Sequence, residues 1–176
     1  VKPVDADTDY SLLTSAVSEH EANTVPFEAA LEYEFRDDPF GPFGETNVGH
    51  RRSTSGHLPQ IESSGVAMFV RVGWQDAGTV NGALGRFNTI SNSQQVLIGP
   101  WDHGAKNDAD PFEPEEKSVQ PNPEDQFAEM VLFFDSHLKE GGSEKTPTEI
   151  SYYTLGSGDW TTTAVWPPEG FETKTW

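Results

Sequence analysis

The sequence predicts an α/β fold with a parallel sheet and helices packed against it. Three features carry that reading. Ala67 to Gly73 and Gln95 to Gly99 are short, nearly continuous apolar runs, as strands covered on both faces should be. Between them, Ala77 to Ile90 has helical spacing, with Val80, Leu84 and Phe87 on one face. Strand, helix and strand make one βαβ unit, whose strands run parallel with a right-handed crossover. Gly82 and Gly85 weaken the helix in isolation but allow close packing on a sheet.

A chain of 176 residues corresponds to about one domain and can bury a core. Eleven basic against 29 acidic residues give a formal charge of −18, which repels nucleic acid and anionic lipid. Without cysteine, disulfides, thiolate metal sites and a cysteine nucleophile are excluded. No apolar run approaches the roughly 18 residues of a membrane span, and no basic-then-apolar signal opens the chain. The start at Val1 and the finish at Trp176, just after a strand-like segment, are expected of a piece of a longer polypeptide. Location is left open between cytoplasmic and secreted.

Taken in order, the first residues are polar and acidic. Asp5, Asp7 and Asp9 have calcium-loop spacing, but Tyr10 and Ala16 stand where that loop needs glycine and glutamate. A solvated lead-in with Asp9 near a helix start is the expectation. Leu12, Leu13, Ala16 and Val17 predict a first amphipathic helix within Tyr10 to Ala22. Phe27, Ala30, Leu31, Glu34 and Phe35 continue the pattern as a second, after a break at Asn23 to Pro26. Asp37 to Gly49 holds Pro39, Gly41, Pro42 and Gly44 and must be loop, with Phe40 and Phe43 as its apolar anchors. His50, Arg51, Arg52 and His57 follow in irregular sequence, read as surface or hydrogen-bonded groups, with a substrate-facing basic spot as the minor alternative.

After the βαβ unit, Ala105 to Gln120 is a long polar loop with Pro111, Pro114 and five acidic residues, which favours a functional or covering role. Asn122 then caps a helix opened by Pro123, with Glu124 and Asp125 in the first turn, where the macrodipole favours anions. Phe127, Met130, Val131, Phe134 and Leu138 form its predicted apolar stripe, and Gly141-Gly142 its stop. From Glu149 the patterning turns to β: a strand over Glu149 to Leu155, a turn at Gly156-Ser157-Gly158, a strand over Trp160 to Trp166, and the start of a third near Phe171.

Chemistry gathers in the loops beyond the carboxyl ends of parallel strands. The first strand runs out into Trp74-Gln75-Asp76 and the second into Pro100-Trp101-Asp102-His103-Gly104. A carboxylate bonded to one imidazole nitrogen fixes the tautomer and stabilises the imidazolium formed when the other nitrogen takes a proton. Simpler roles compete: Asp76 as cap of the following helix, His103 as a turn residue, Trp74 and Trp101 as core.

The segments Val72-Gly73-Trp74-Gln75-Asp76 and Val96-Leu97-Ile98-Gly99-Pro100-Trp101-Asp102-His103-Gly104 resemble the cocaine esterase and X-Pro dipeptidyl-peptidase family of serine hydrolases. In that family one strand ends in Gly-Trp-Tyr-Asp and another in Gly-Pro-Trp-x-His-Gly. Phe133-Phe134-Asp135-Ser136-His137-Leu138-Lys139 resembles the family's Phe-Phe-Asp-x-x-Leu-Lys, and Ile150 to Trp160 with Trp166-Pro167-Pro168 the start of its jelly-roll domain. The resemblance implies an α/β-hydrolase with Asp76 as triad acid and His103 as general base. It also places Trp74, Gln75 and Trp101 near substrate; Gln75 departs from the family's tyrosine. The family order is Ser, Asp, His, with the serine on a G-x-S-x-G elbow. No serine here has those flanks: Ser55 has Ser53 two before it, Ser64 has Glu62, and Ser157 comes after Asp76 in a turn.

The expectation is therefore the C-terminal part of an α/β-hydrolase: residues 1–60 a helical cap remnant and loop, 61–142 catalytic α/β domain, 143–176 linker and first strands of a jelly-roll. The implied substrate is a small ester, an amide or a short peptide, with no cofactor, metal, nucleic acid or membrane. The chain alone would lack the nucleophile. An edge left open by missing strands favours association, as a homo-oligomer or with an N-terminal portion. The competing readings are a non-catalytic binding module, with Trp74, Trp101 and Trp160 as exposed contacts on an acidic surface, and an assembly scaffold.

Overall fold

The computed structural model describes residues 2, 4–23, 25–31, 34–35, 38–39, 53–113, 118–140, 147–172 and 174. The chain divides into two compact units, Val1–His57 and Leu58–Trp176. The expected anchors Phe40 and Phe43, the group His50, Arg51 and Arg52, and the stop at Gly141-Gly142 lie outside the described residues.

In the first unit, α1 spans Ser11–His20 and α2 spans Pro26–Ala30. Helix starts leave backbone N–H groups without partners. Here the buried Asp7, not Asp9 alone, supplies acceptors: its carboxylate takes the N–H of Leu12 at 3.0 Å and of Leu13 at 2.8 Å. Asp9 accepts the N–H of Ser11 at 3.1 Å, and its carboxyl is held below the usual range chiefly by the Ser11 hydroxyl. The second helix is shorter than its apolar pattern, and Leu12, Val17, Phe27, Leu31 and Phe35 are exposed.

The first unit ends in a 3-10 turn at Thr54–His57, and the second holds α3 (Leu58–Ser64), β1 (Met68–Gly73), α4 (Thr79–Thr89), β2 (Gln94–Gly99), α5 (Pro123–Leu138), β3 (Glu149–Tyr153) and β4 (Trp160–Thr163). These strands form one sheet in the order β1-β2-β3-β4. β1, β2 and β3 are parallel, and β4 returns antiparallel to β3. The predicted βαβ unit is thus present. Glu149–Tyr153, where the patterning turns to β, continues the same sheet: Ile150 pairs with Val96 and Tyr152 with Ile98.

Alternation along the strands sends Val70, Val72, Val96, Ile98, Ile150 and Tyr152 to one face. There Val80, Ala83 and Phe87 of α4 pack on them, with Leu84 at the border. Ile98 and Ile150 are fully buried at the centre. Two buried amides at or just before the start of β2 close one end of this layer. Gln94 donates to the Ile90 carbonyl at 2.9 Å, and Asn92 to the carbonyls of Ile61 and Val66 at 3.0 and 2.9 Å.

The other face carries α5. Asn122 caps it as expected, accepting the Asp125 N–H at 2.9 Å, with Pro123 at its first position. Its orientation differs from the predicted stripe. Gln126 and Phe133 are the buried residues, while Phe127, Val131, Phe134 and Leu138 are exposed. Phe133 packs against Phe69 with the rings tilted and their centroids 5.5 Å apart, and Gln126 accepts from Arg71 Nη1 at 2.7 Å while donating to the Pro121 carbonyl at 2.6 Å. Met130 to Phe134 is apolar at every position, so periodicity alone does not set which side turns inward.

Candidate active site

β1 and β2 end side by side, Gly73 opposite Gly99, so the loops that follow leave the sheet together. Two glycines make this possible. A Cβ on Gly73 would stand 2.1 Å from the Trp101 carbonyl oxygen, and one on Gly99 2.3 Å from the Trp101 ring. With hydrogen in those places, Trp101 folds under β2 and is fully buried with Leu97, Ala105 and Val119. Its carbonyl accepts the Gln75 N–H at 3.1 Å, and Trp74 N–H bonds the Gly99 carbonyl at 2.9 Å. The loops are therefore tied by backbone before any functional side chain is considered.

Across this junction Asp76 Oδ1 lies 3.0 Å from His103 Nδ1. The Asp76 side chain is 15% exposed and the His103 side chain 90%. An ionised carboxylate only accepts, so Nδ1 carries the proton and Nε2 is left as the acceptor in the neutral ring. The second Asp76 oxygen, Oδ2, is 3.1 Å from the Thr79 hydroxyl. Asp76 does not cap α4 with its side chain: the N-cap is Gly78, with no side-chain cap bond. Ala77, next to Asp76, and Ala105, two beyond His103, both have left-handed backbone, with φ of 39° and 49°. Non-glycine residues adopt that conformation at a cost of roughly 1–3 kcal/mol, and it recurs where a loop is held for function.

The remaining sequence candidates fall differently. Gln75 is exposed and joins the site through its backbone. Trp74 is half-buried against the α4 layer, its indole donating to the Tyr153 carbonyl at 2.7 Å. Trp101, fully buried, offers no ring face to a substrate and acts as the wedge under the His103 loop. Among the described residues no group of three or more His, Asp or Glu is arranged to hold a metal ion. A cavity of about 600 Å³ opens on the α5 face, lined by Phe69, Leu97, Glu129, Phe133 and Trp160 among others. Neither Asp76 nor His103 lines it.

Two supports were not legible beforehand. Asp102 accepts the Asn107 side-chain amide at 2.7 Å, which chiefly holds its carboxyl below the usual range, and also the Gly104 N–H at 3.2 Å. Asp110 is buried and accepts the N–H groups of Phe112 and Gly156 at 3.0 and 2.9 Å, pinning the long loop to the turn before β4. Asx side chains two residues before their donors were the available signal.

Beside Asp110 the Tyr153 phenol is pushed up to about 12, first by burial, then by the hydrogen bond to Asp110 and the charges of Glu113, Asp110 and Asp108. The phenol stays neutral in the folded chain while the unfolded chain ionises near pH 10. This contribution to stability is complete below pH 10 and is lost as pH rises from there toward 12. Chemical denaturation at pH 9, 10.5 and 11.5 should show a falling midpoint, and Tyr153→Phe should flatten the fall. An equally steep fall in the variant would place the alkaline sensitivity elsewhere.

The fold is mixed α/β, and the sequence is similar to proteins described as hydrolases. Residues 43–105 match the family model described as X-Pro dipeptidyl-peptidase (S15 family). The chain is also 27% identical over 187 aligned residues to proteins from Mycobacterium bovis and Mycobacterium tuberculosis, named "Putative serine esterase Mb1866c" and "Putative serine esterase MT1883". Each alignment covers 96% of this chain and 29% of the relative. The chain thus spans less than a third of the length of these curated relatives, and no solved structure matches it. The resemblance to the X-Pro dipeptidyl-peptidase family read from the two strand-end motifs is borne out.

Proposed function

We propose that these 176 residues carry the acid and the base of a serine hydrolase acting on an ester or an amide. Asp76 is the acid and His103 the general base. The observation supporting this most strongly is the 3.0 Å contact between Asp76 Oδ1 and His103 Nδ1, beyond the ends of adjacent parallel strands. The mycobacterial relatives' name as serine esterases and the match to the S15 family point to the same reaction class.

In the proposed reaction, His103 Nε2 takes the proton of a serine hydroxyl as the oxygen attacks the substrate carbonyl. The resulting imidazolium, held by Asp76, returns the proton to the leaving group, and water then releases the acyl group by the same path. Neither the serine nor its oxyanion-hole amide is on these residues, because no serine here sits in a G-x-S-x-G elbow. The chain alone is accordingly inactive, and the nucleophile comes from another segment. Residues 1–60 read as a remnant of a helical cap and the stretch after β4, which closes the shared sheet, as the approach to a jelly-roll domain. The exposed aromatic contacts of a binding module are less well supported, since Trp101 is buried and Trp74 is half-buried.

A fluorophosphonate probe read by intact mass tests the assignment. This chain should remain unlabelled, whereas a longer polypeptide that adds the nucleophile segment should take up one equivalent, and His103→Ala should abolish that uptake. Stoichiometric labelling of the chain alone, or labelling that survives His103→Ala, would overturn it.

A further inference from the structure

His103 is so exposed that packing does little to hold its ring; its backbone turn must do so instead. That turn is a narrow excursion closed by three successive rungs. Ala109 N–H donates to the Pro100 carbonyl at 2.7 Å, Trp101 and Asp108 form an antiparallel bridge, and Asn107 Nδ2 donates to Asp102 Oδ2 at 2.7 Å. The first two are backbone rungs rooted in the sheet through the buried Trp101. The third is made of side chains and stands directly beneath the tip, residues 103–106. Asp102 also reaches into the tip, its Oδ1 accepting the Gly104 N–H at 3.2 Å while its carbonyl accepts the Ala105 N–H at 3.1 Å. Both carboxylate oxygens are thus engaged with residues that follow His103, which an alanine could not reproduce.

We propose that Asp102, braced by Asn107, is a positioning residue that fixes the His103 turn so that Nδ1 meets Asp76. Asp102 touches neither Asp76 nor the ring; it acts through the backbone on either side of His103. The functional consequence rests on the reading of Asp76 and His103 as acid and base, whereas the geometry can be tested in the chain as it stands.

The readout is the tautomer of His103 from long-range proton–nitrogen spectra of the nitrogen-15-labelled chain at a pH where the ring is neutral. Free imidazole side chains favour the proton on Nε2, whereas the bond to Asp76 requires it on Nδ1. The unaltered chain should show the Nδ1–H form at His103. Asp102→Ala should lose it, returning His103 to the free-histidine pattern, while the amide signals of β1 and β2 stay in place. Asp102→Asn should retain it, because the asparagine oxygen still accepts from Gly104 and its amide can pair with a turned Asn107. Asn107→Ala, which removes only an exposed group, gives a partial loss and serves if Asp102→Ala does not fold. Retention of the Nδ1–H form in both Asp102→Ala and Asn107→Ala, or in Asn107→Ala where Asp102→Ala does not fold, would overturn the positioning role and leave the acid–base reading intact. A free-histidine pattern in the unaltered chain would instead remove the Asp76 contact, and the functional reading with it.

Discussion

Gly73→Ala is expected to lower the stability of the chain by on the order of 3 kcal/mol or more. The added carbon would stand 2.1 Å from the Trp101 carbonyl oxygen and 2.7 Å from its carbonyl carbon. These are backbone atoms, which cannot swing aside as the end of a long side chain can. Relief requires β1 and the Trp101 segment to separate, breaking the bond from Gln75 N–H to the Trp101 carbonyl and moving Asp76 away from His103. Urea denaturation checks it: the midpoint should drop with an unchanged slope. As an internal control, Gly82→Ala places its methyl in open space on α4 and should be neutral or stabilising by about 1 kcal/mol. A Gly73→Ala midpoint within error of the parent would mean that the two loops are not in contact.

The second large effect is on catalysis by a longer polypeptide that supplies the nucleophile. His103→Ala should lower kcat by about 10⁶, and Asp76→Asn by about 10⁴ with little change in KM, because each removes stabilisation specific to the transition state. Asparagine can accept a hydrogen bond at this position, but it provides no charge for the imidazolium and does not enforce the Nδ1–H tautomer. The double variant should be about as impaired as His103→Ala alone, since the residues act as a unit. Steady-state hydrolysis of an activated ester measures all three. A loss below tenfold for either single variant would remove that residue from the mechanism.

Both expectations trace to features already visible in the chain as a string. The run at Gln95 to Gly99 lacks polar alternation because both faces of β2 are covered, whereas β1, at the end of the described sheet, is half-buried and leaves Arg71 exposed. That local pattern sufficed for the βαβ unit. It also placed Asp76 and His103 beyond the carboxyl ends of adjacent strands. The cap and proline at Asn122 and Pro123 located the start of α5 by chemistry confined to a few residues.

Other features depended on partners far away in sequence. The inward face of α5 is chosen by Phe69 and Arg71, some 55 to 64 residues earlier, because its own apolar run has no single phase. β3 reads locally as the opening of a separate β region, yet its edge finds β2 and runs parallel to it, a pairing that only sheet register decides. Trp101 looks like a substrate contact in a one-dimensional motif and is buried once Gly73 and Gly99 admit it. The role of Asp102 appears only when the chain returns at Asn107.

What the sequence by itself determined about this protein is therefore its local grammar: the strand, helix and strand, the capped α5, and the placing of Asp76 and His103 beyond two strand ends. Short-range patterning is enough for these, since burial on two faces and helix capping leave marks within a few residues. Tertiary structure alone decided which face of α5 turns inward, where β3 pairs, and that Asp76 and His103 stand 3.0 Å apart. Those outcomes depend on non-local packing and hydrogen bonds, whose partners no local window contains.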